Sequence, residues 1–158
     1  LEVPNIDNIV VTGTIKKTAS HFESKIKNVV YAVETIFGQK PQLLQARKSV
    51  AAFQIRKGSI GAWKLTLRKN GMYEFLDKFI VDALPRARDF EGFKLKKANL
   101  STIAIGIKTF NIFSDIDIQY NRFRTSFGAH IIFNIRGQST LHMQYALLRS
   151  LSIPIIYK

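Results

Sequence analysis

Between Gly38 and Arg68 the chain carries seven cations and not one Asp or Glu. The cations are Lys40, Arg47, Lys48, Arg56, Lys57, Lys64 and Arg68. Apolar residues alternate through two short runs of the same stretch, 52–56 and 62–68. A period of two sends successive side chains to opposite faces of a strand. Such a strand pair buries one face and offers the other, with Gln54, Arg56, Lys64, Thr66 and Arg68, to an anion. Between the strands, Lys57-Gly58-Ser59-Ile60-Gly61 reads as a hairpin tip, because its two glycines accept positive φ or a close backbone approach. A donor-rich strand pair without acids suits a phosphate-rich polymer better than a small metabolite.

The whole chain has the same bias. Its 158 residues suffice for one domain with a real core, and 1–158 is read as a single domain. Twenty-four Lys plus Arg against eleven Asp plus Glu give a net charge of +13 and a pI near 10.2. That excess attracts polyanions, and counterion release favours nucleic acid. No apolar run reaches the ~18 residues of a membrane span, and no membrane partner is expected. There is no cysteine, which excludes disulfides, thiolate zinc sites and cysteine nucleophiles.

Catalysis finds little support. His21, His130 and His142 stand in no metal-ligand spacing and are read as structural, His130 opening a buried strand. Glycine-rich phosphate cradles are absent, so no cofactor and no metal is expected. Asp115 and Asp117 form a close carboxylate pair, read as a solvated loop pair. The alternative is that they hold Mg²⁺ in a nucleic-acid-processing enzyme. No helix-turn-helix, zinc-finger or basic-zipper pattern occurs, which leaves RNA, read by shape, 2′-hydroxyls and exposed bases.

In chain order, β-branched residues 7–15 predict a strand. Ser20 and Glu23 have capping-box spacing for a helix whose apolar side includes Ile26, Val29, Val33, Ile36 and Phe37. Gly38 and Pro41 end it. A second helix is expected over 71–84, capped by Asn70, buried through Met72, Phe75, Leu76, Phe79, Ile80 and Ala83, and closed by Pro85. Strands follow at 102–107 and 130–135, with loop and edge structure over 109–127. A last helix, 139–151, puts Leu141, Tyr145, Leu148 and Leu151 on one face. The fold class is α+β, a mostly antiparallel sheet with helices on one face.

Four stretches in order resemble the family of large-subunit ribosomal protein five: VPNIDNIVV at 3–11, GQKP at 38–41, ARKSVAAFQIRKG at 46–58 and GMYEFLDKFIVDALPRARDFEGF at 71–93. The likeness thins after Phe93. The resemblance implies a curved antiparallel sheet backed by helices, without catalytic activity, that binds 5S rRNA, or an equivalent large-subunit rRNA, in the central protuberance. It carries RNA contacts onto Gln39, Phe53, Arg56 and Thr66, and onto Thr12, where the family has asparagine. Phe53 is equally compatible with a core position. Lys40, Arg47, Lys48, Lys64 and Arg68 complete the expected RNA-binding set. Loop 57–61 is expected to reach peptidyl-site tRNA, although it is one residue shorter than the family's and lacks its proline. Further implied partners are neighbouring proteins of the central protuberance and the small-subunit head. The family's helix before the VP motif is not expected among these residues, and Leu1 suggests a preceding or removed segment. Heavy use of Ile, Phe, Asn and Lys points to the mitochondrial matrix, with a plastid or the bacterial cytoplasm as alternatives.

Overall fold

The longest described strand is built from β-branched residues that alternate between the two sides of a sheet. In a computed structural model the described residues are 4–15, 22–53, 55–87, 92–94, 102–117, 127–137 and 140–156. The elements run β1 (Asn5–Thr14), α1 (Phe22–Phe37), β2 (Gln42–Gln45), β3 (Ile60–Leu67), α2 (Lys69–Lys78), β4 (Phe93–Lys94), β5 (Thr102–Ile107), β6 (Ala129–Arg136), α3 (Leu141–Ser150) and β7 (Ile155–Ile156). Five strands form one sheet in the order β2-β3-β1-β6-β5, every neighbour antiparallel. The sheet is open, with β2 and β5 at its ends. A short parallel pair joins β4 to β7. This is the expected α+β architecture.

One face of the sheet is the core. Ile9, Val11, Trp63, Leu65, Leu67, Ile103, Ile131 and Phe133 are buried, and they belong to one cluster with Val29, Ala32, Val33, Ile36 and Phe37 of α1. Met72, Phe75 and Leu76 of α2 complete it. Phe75 knits the layers, its ring 4.7 Å from that of Phe37 and 5.6 Å from that of Phe79. Gly38, at φ +65°, ends α1 as its sequence position requires. The proposed Ser20 cap and His21 lie outside the described residues.

Gly13 faces Trp63 across β1 and β3. A Cβ at Gly13 would lie 2.6 Å from the indole, so the ring packs flat against bare backbone. Gly13→Ala is therefore expected to destabilise by about 1–3 kcal/mol through overpacking. A urea midpoint equal to that of the parent would show that the indole has room to move.

Several local expectations are corrected. The strand expected over 52–56 is not seen in its described residues. Ala51–Phe53 is a 3₁₀ turn, and Val50 bridges Ile55 across it. The alternation of Phe53 and Ile55 with Ala52, Gln54 and Arg56 imitates a strand, but the chain turns back on itself here and, among the described residues, pairs only through the Val50–Ile55 bridge. The presumed tip is divided as well, because Ile60 and Gly61 already belong to β3, where the Gly61 carbonyl accepts from the Ile15 N–H. α2 begins at Lys69, one residue before the expected Asn70 cap, with Lys69 at φ +52°.

Pro85 does not close α2. The helix widens into a π turn, Phe79–Ala83, and ends with one α turn, Leu84–Arg86. The Leu84 N–H donates to the Phe79 carbonyl, five residues back. A wider turn relieves the proline ring of the carbonyl four residues earlier, which a regular helix would drive into it. Asp82 in this turn accepts from both the N–H and the hydroxyl of Ser114, at 2.9 and 2.7 Å, and pairs with Arg86 at 3.0 Å. The Ser114 hydroxyl first, then its N–H, hold the Asp82 carboxyl below its usual range, with smaller help from Arg86 and Lys78 against a modest desolvation cost.

A depressed folded-state pKa stabilises fully above the unfolded value, here 3.8, and is lost as pH falls through the folded value. Asp82→Asn should therefore destabilise at neutral pH. The loss should be about 1–2 kcal/mol, the hydrogen-bond value discounted for solvent access. The difference from the parent should shrink towards acid, below the ordinary carboxylate range. Urea titrations at neutral and acid pH would read it, and a pH-independent difference would contradict the assignment.

The last helix is capped by Thr140, whose hydroxyl accepts from the Met143 N–H at 3.4 Å. Its buried side is Gln144 and Leu148, with Leu147 and Leu151 partly covered, while Tyr145 is only half-buried. Of the expected stripe, Leu148 is buried and Leu151 packs against the core, while the side chain of Leu141 lies outside the described residues.

Candidate nucleic-acid interface

The side of the sheet away from the core is set by register. Directly opposed residues of antiparallel strands share a face. One row therefore runs Gln42, Lys64, Thr12, His130, Gly106 across all five strands. At about 4.8 Å per strand it spans roughly 19 Å. The next row is Thr66, Val10, Ile132, Ala104, and beyond it come Asn8, Asn134 and Thr102. Gln42, Lys64, His130, Ala104 and Gly106 are exposed, and Thr12, Thr66, Asn134 and Thr102 half-exposed. Among the described strand positions on this face the only acid is Asp7.

Asp7 sits at the rim, at a register shift between Ile6 and Asn8. It accepts from the Asn8 amide at 2.7 Å and lies 3.9 Å from Arg68. Asn134 donates to the Asn8 carbonyl oxygen at 2.7 Å. This leaves Asn134 with a carbonyl oxygen and an N–H for a ligand. The face thus offers cations at Lys64, Arg68 and Arg136, hydroxyls at Thr12, Thr14, Thr66 and Thr102, amides at Gln42 and Asn134, and an imidazole at His130. Its chemistry suits phosphates and the sugar and base edges of RNA.

A second surface grows out of the same strands. Ala46 and the Gly58–Ser59 segment close a neck, with the Ala46 N–H to Ser59 carbonyl and the Gly58 N–H to Ala46 carbonyl both at 2.9 Å. Beyond it Val50 and Ile55 exchange hydrogen bonds of 2.9 and 3.1 Å. Arg47, Lys48, Arg56 and Lys57 are exposed on this excursion. Lys57 donates its N–H to the Ser49 hydroxyl at 3.0 Å, and the Ser59 hydroxyl donates to the Arg56 carbonyl at 2.6 Å. Gly58 takes φ +85° with open space around it.

The structure therefore distributes the predicted residues over three places. Thr12, Lys64 and Thr66 meet on the open face, with Arg68 just past the end of β3. Arg47, Lys48, Arg56, Lys57, Gly58 and Ser59 lie on the excursion. Gln39 and Lys40 are exposed in the turn before β2. Gln54 and the side chain of Phe53 lie outside the described residues. Sequence reasoning missed Gln42, His130, Asn134 and Thr102. His130 is exposed, against the expectation of a buried start to β6. The alternation of His130, Ile132, Asn134 and Arg136 against Ile131, Phe133 and Ile135 was the available signal.

Asp115 is no loop carboxylate waiting for a cation. It lies in a helical turn, Ser114–Asp117, and pairs with Lys78 at 2.6 Å. Among the described residues no cluster of three His, Cys, Asp or Glu is placed to hold a metal ion. No described helix is long and apolar enough to cross a membrane.

An open antiparallel sheet with one helix-covered face, and one exposed face that carries cations and a single rim acid, defines an α+β protein whose free sheet face suits RNA. Residues 60–155 match the family model for the C-terminus of the ribosomal L5 family. The chain is 38% identical over 154 residues to the large ribosomal subunit protein uL5m of Reclinomonas americana, covering 97% of this chain and 84% of that one. It is 36% identical over 155 residues to large ribosomal subunit protein uL5 of Baumannia cicadellinicola, covering 98% and 83%. The Clostridium perfringens uL5 protein is 37% identical over 158 residues, covering 98% and 84%. The chain belongs to the ribosomal L5 family, which gives it a structural role in the large ribosomal subunit.

Proposed function

We propose that the open sheet face docks 5S rRNA, or the equivalent large-subunit rRNA element, in the central protuberance. The observation that carries this reading is the row Gln42–Lys64–Thr12–His130–Gly106, polar, acid-free and uncovered. No acid pairs with Lys64 among the described residues, so its charge is available to a phosphate. Gln39 and Lys40 extend the cationic border. Family membership supports RNA as the ligand, and neighbouring ribosomal proteins as further partners.

The 47–59 excursion is the part proposed to touch peptidyl-site tRNA. Arg47, Lys48, Arg56 and Lys57 supply charge, and Gly58 lets backbone approach phosphate. Ile60 and Gly61, the last residues of the expected contact loop, open β3 at its base. A mitochondrial ribosome is proposed as the setting, supported by the Reclinomonas relative and the Ile, Phe, Asn and Lys bias. The proposed role is structural rather than enzymatic.

Filter binding of the full chain to 5S rRNA, to a large-subunit rRNA fragment and to a shuffled RNA tests the docking reading. Tight binding to one of the first two, and not to the third, is expected. Equal binding to all three would reduce the face to a nonspecific polycation. Crosslinks from Lys57 to tRNA are expected only in ribosomes with a filled peptidyl site. Their absence there, with rRNA contacts intact, would make the excursion structural.

A further inference from the structure

The outer side of α2 is unlike the rest of the surface. Asn70, Tyr73, Glu74, Asp77 and Val81 recur at spacings of three and four, which places them on one side of the helix. All five are exposed. Tyr73 is 44% and Val81 76% exposed, the latter the most exposed large apolar side chain among the described residues. The opposite side of the helix, Met72, Phe75, Leu76 and Phe79, is buried in the core. The outer side therefore points away from the open face of the sheet.

Its two acids are uncompensated. Lys78, one turn from Glu74, is taken by Asp115 at 2.6 Å, and Arg86 is engaged with Asp82 at 3.0 Å. Neither Glu74 nor Asp77 has an ion pair among the described residues. In a chain of net charge +13, two free carboxylates beside exposed Tyr and Val form a local reversal of sign. Such a surface repels phosphate, and water gains nothing from an exposed valine. Val81 is not exposed by fraying either. The π turn that carries it is fixed inside by Phe79 and Ala83, at 1% and 0% exposure, and at its side by the Asp82–Ser114 bonds.

We infer that Tyr73, Glu74, Asp77 and Val81 form a docking surface for a Lys/Arg-rich segment of another protein. Cations of that segment pair with Glu74 and Asp77, and an aliphatic or aromatic side chain covers Val81 against Tyr73. Charge complementarity selects this occupant over RNA. The inference stands apart from the RNA reading, since the two surfaces lie on opposite sides of the molecule.

A photoreactive benzoylphenylalanine at position 81, in the full chain assembled into ribosomes of its own cells, tests this. Irradiation should crosslink it to a different protein, at a peptide in which Lys and Arg outnumber acids. In the Glu74→Lys/Asp77→Lys background the yield should fall at least about tenfold, and with Glu74→Gln/Asp77→Asn by less. RNA filter binding by both double variants should be no weaker than the parent's, which separates this result from any failure of the RNA reading. Crosslinks to RNA, to a second copy or to an acidic or neutral peptide would overturn the inference. So would a yield indifferent to charge reversal, or no crosslink in assembled particles. Unchanged urea midpoints would show that both double variants fold.

Discussion

Phe79→Ala is expected to cost about 3–5 kcal/mol of folding free energy, the range for removing a buried aromatic ring. Phe79 is 1% exposed, stacks on Phe75 at 5.6 Å and opens the π turn before Pro85. Its loss would leave a cavity at the one place where α2 already departs from regular hydrogen bonding. For a domain of ordinary stability, about 5–15 kcal/mol, that is a large share. RNA affinity of the remaining folded protein should be unchanged, because the site lies across the core from the open face. A urea midpoint close to the parent's would mean that the helix register is wrong.

The second large effect concerns Lys64. A hydrogen bond to a charged group is worth about 1.5–3 kcal/mol, so Lys64→Glu should weaken RNA binding by at least about tenfold, with charge repulsion added. The salt dependence should also flatten by about one phosphate contact. Lys27→Glu, an exposed change on α1 at the helical side, should affect affinity far less. Filter binding across a salt series distinguishes the two. Equal losses would mean that net charge, and not the sheet face, drives association.

These two residues also mark what was legible in the sequence. Phe79 belongs to a stripe with Met72, Phe75, Leu76 and Ala83, and helical periodicity identified it directly. Lys64 and Thr66 alternate with Trp63, Leu65 and Leu67, so the faces of β3 were equally readable. Four of the sheet's strands, β1, β3, β5 and β6, and three helices follow from such local patterns. The π turn does not, because it depends on Pro85 crowding a carbonyl and on Ser114, 32 residues from Asp82, bonding back to it. The 51–53 turn was hidden by the alternation of Phe53 and Ile55 with Ala52, Gln54 and Arg56, which imitates a strand although the segment folds back through the Val50–Ile55 bridge.

The candidate face was read in part for a related reason. Thr12, Lys64 and Thr66 came from a resemblance and from one strand's period. Gln42, His130 and Asn134 required knowing that β1 pairs with both β3 and β6, a long-range fact of register. His130 in particular begins a run rich in isoleucine and phenylalanine, which suggested burial. Alternation along β6 sets His130 opposite the buried Ile131, Phe133 and Ile135, but that Gly106 is its neighbour across the sheet is a fact of pairing.

The most direct test of the account is to irradiate native large subunits with ultraviolet light and sequence the peptide–RNA adducts of this protein. The account predicts adducts on β1, β3 and β6, at or beside Thr12, Lys64 and His130, joined to 5S rRNA or its large-subunit equivalent. Adducts confined to α1 and α2, with the open face unmodified, would contradict it.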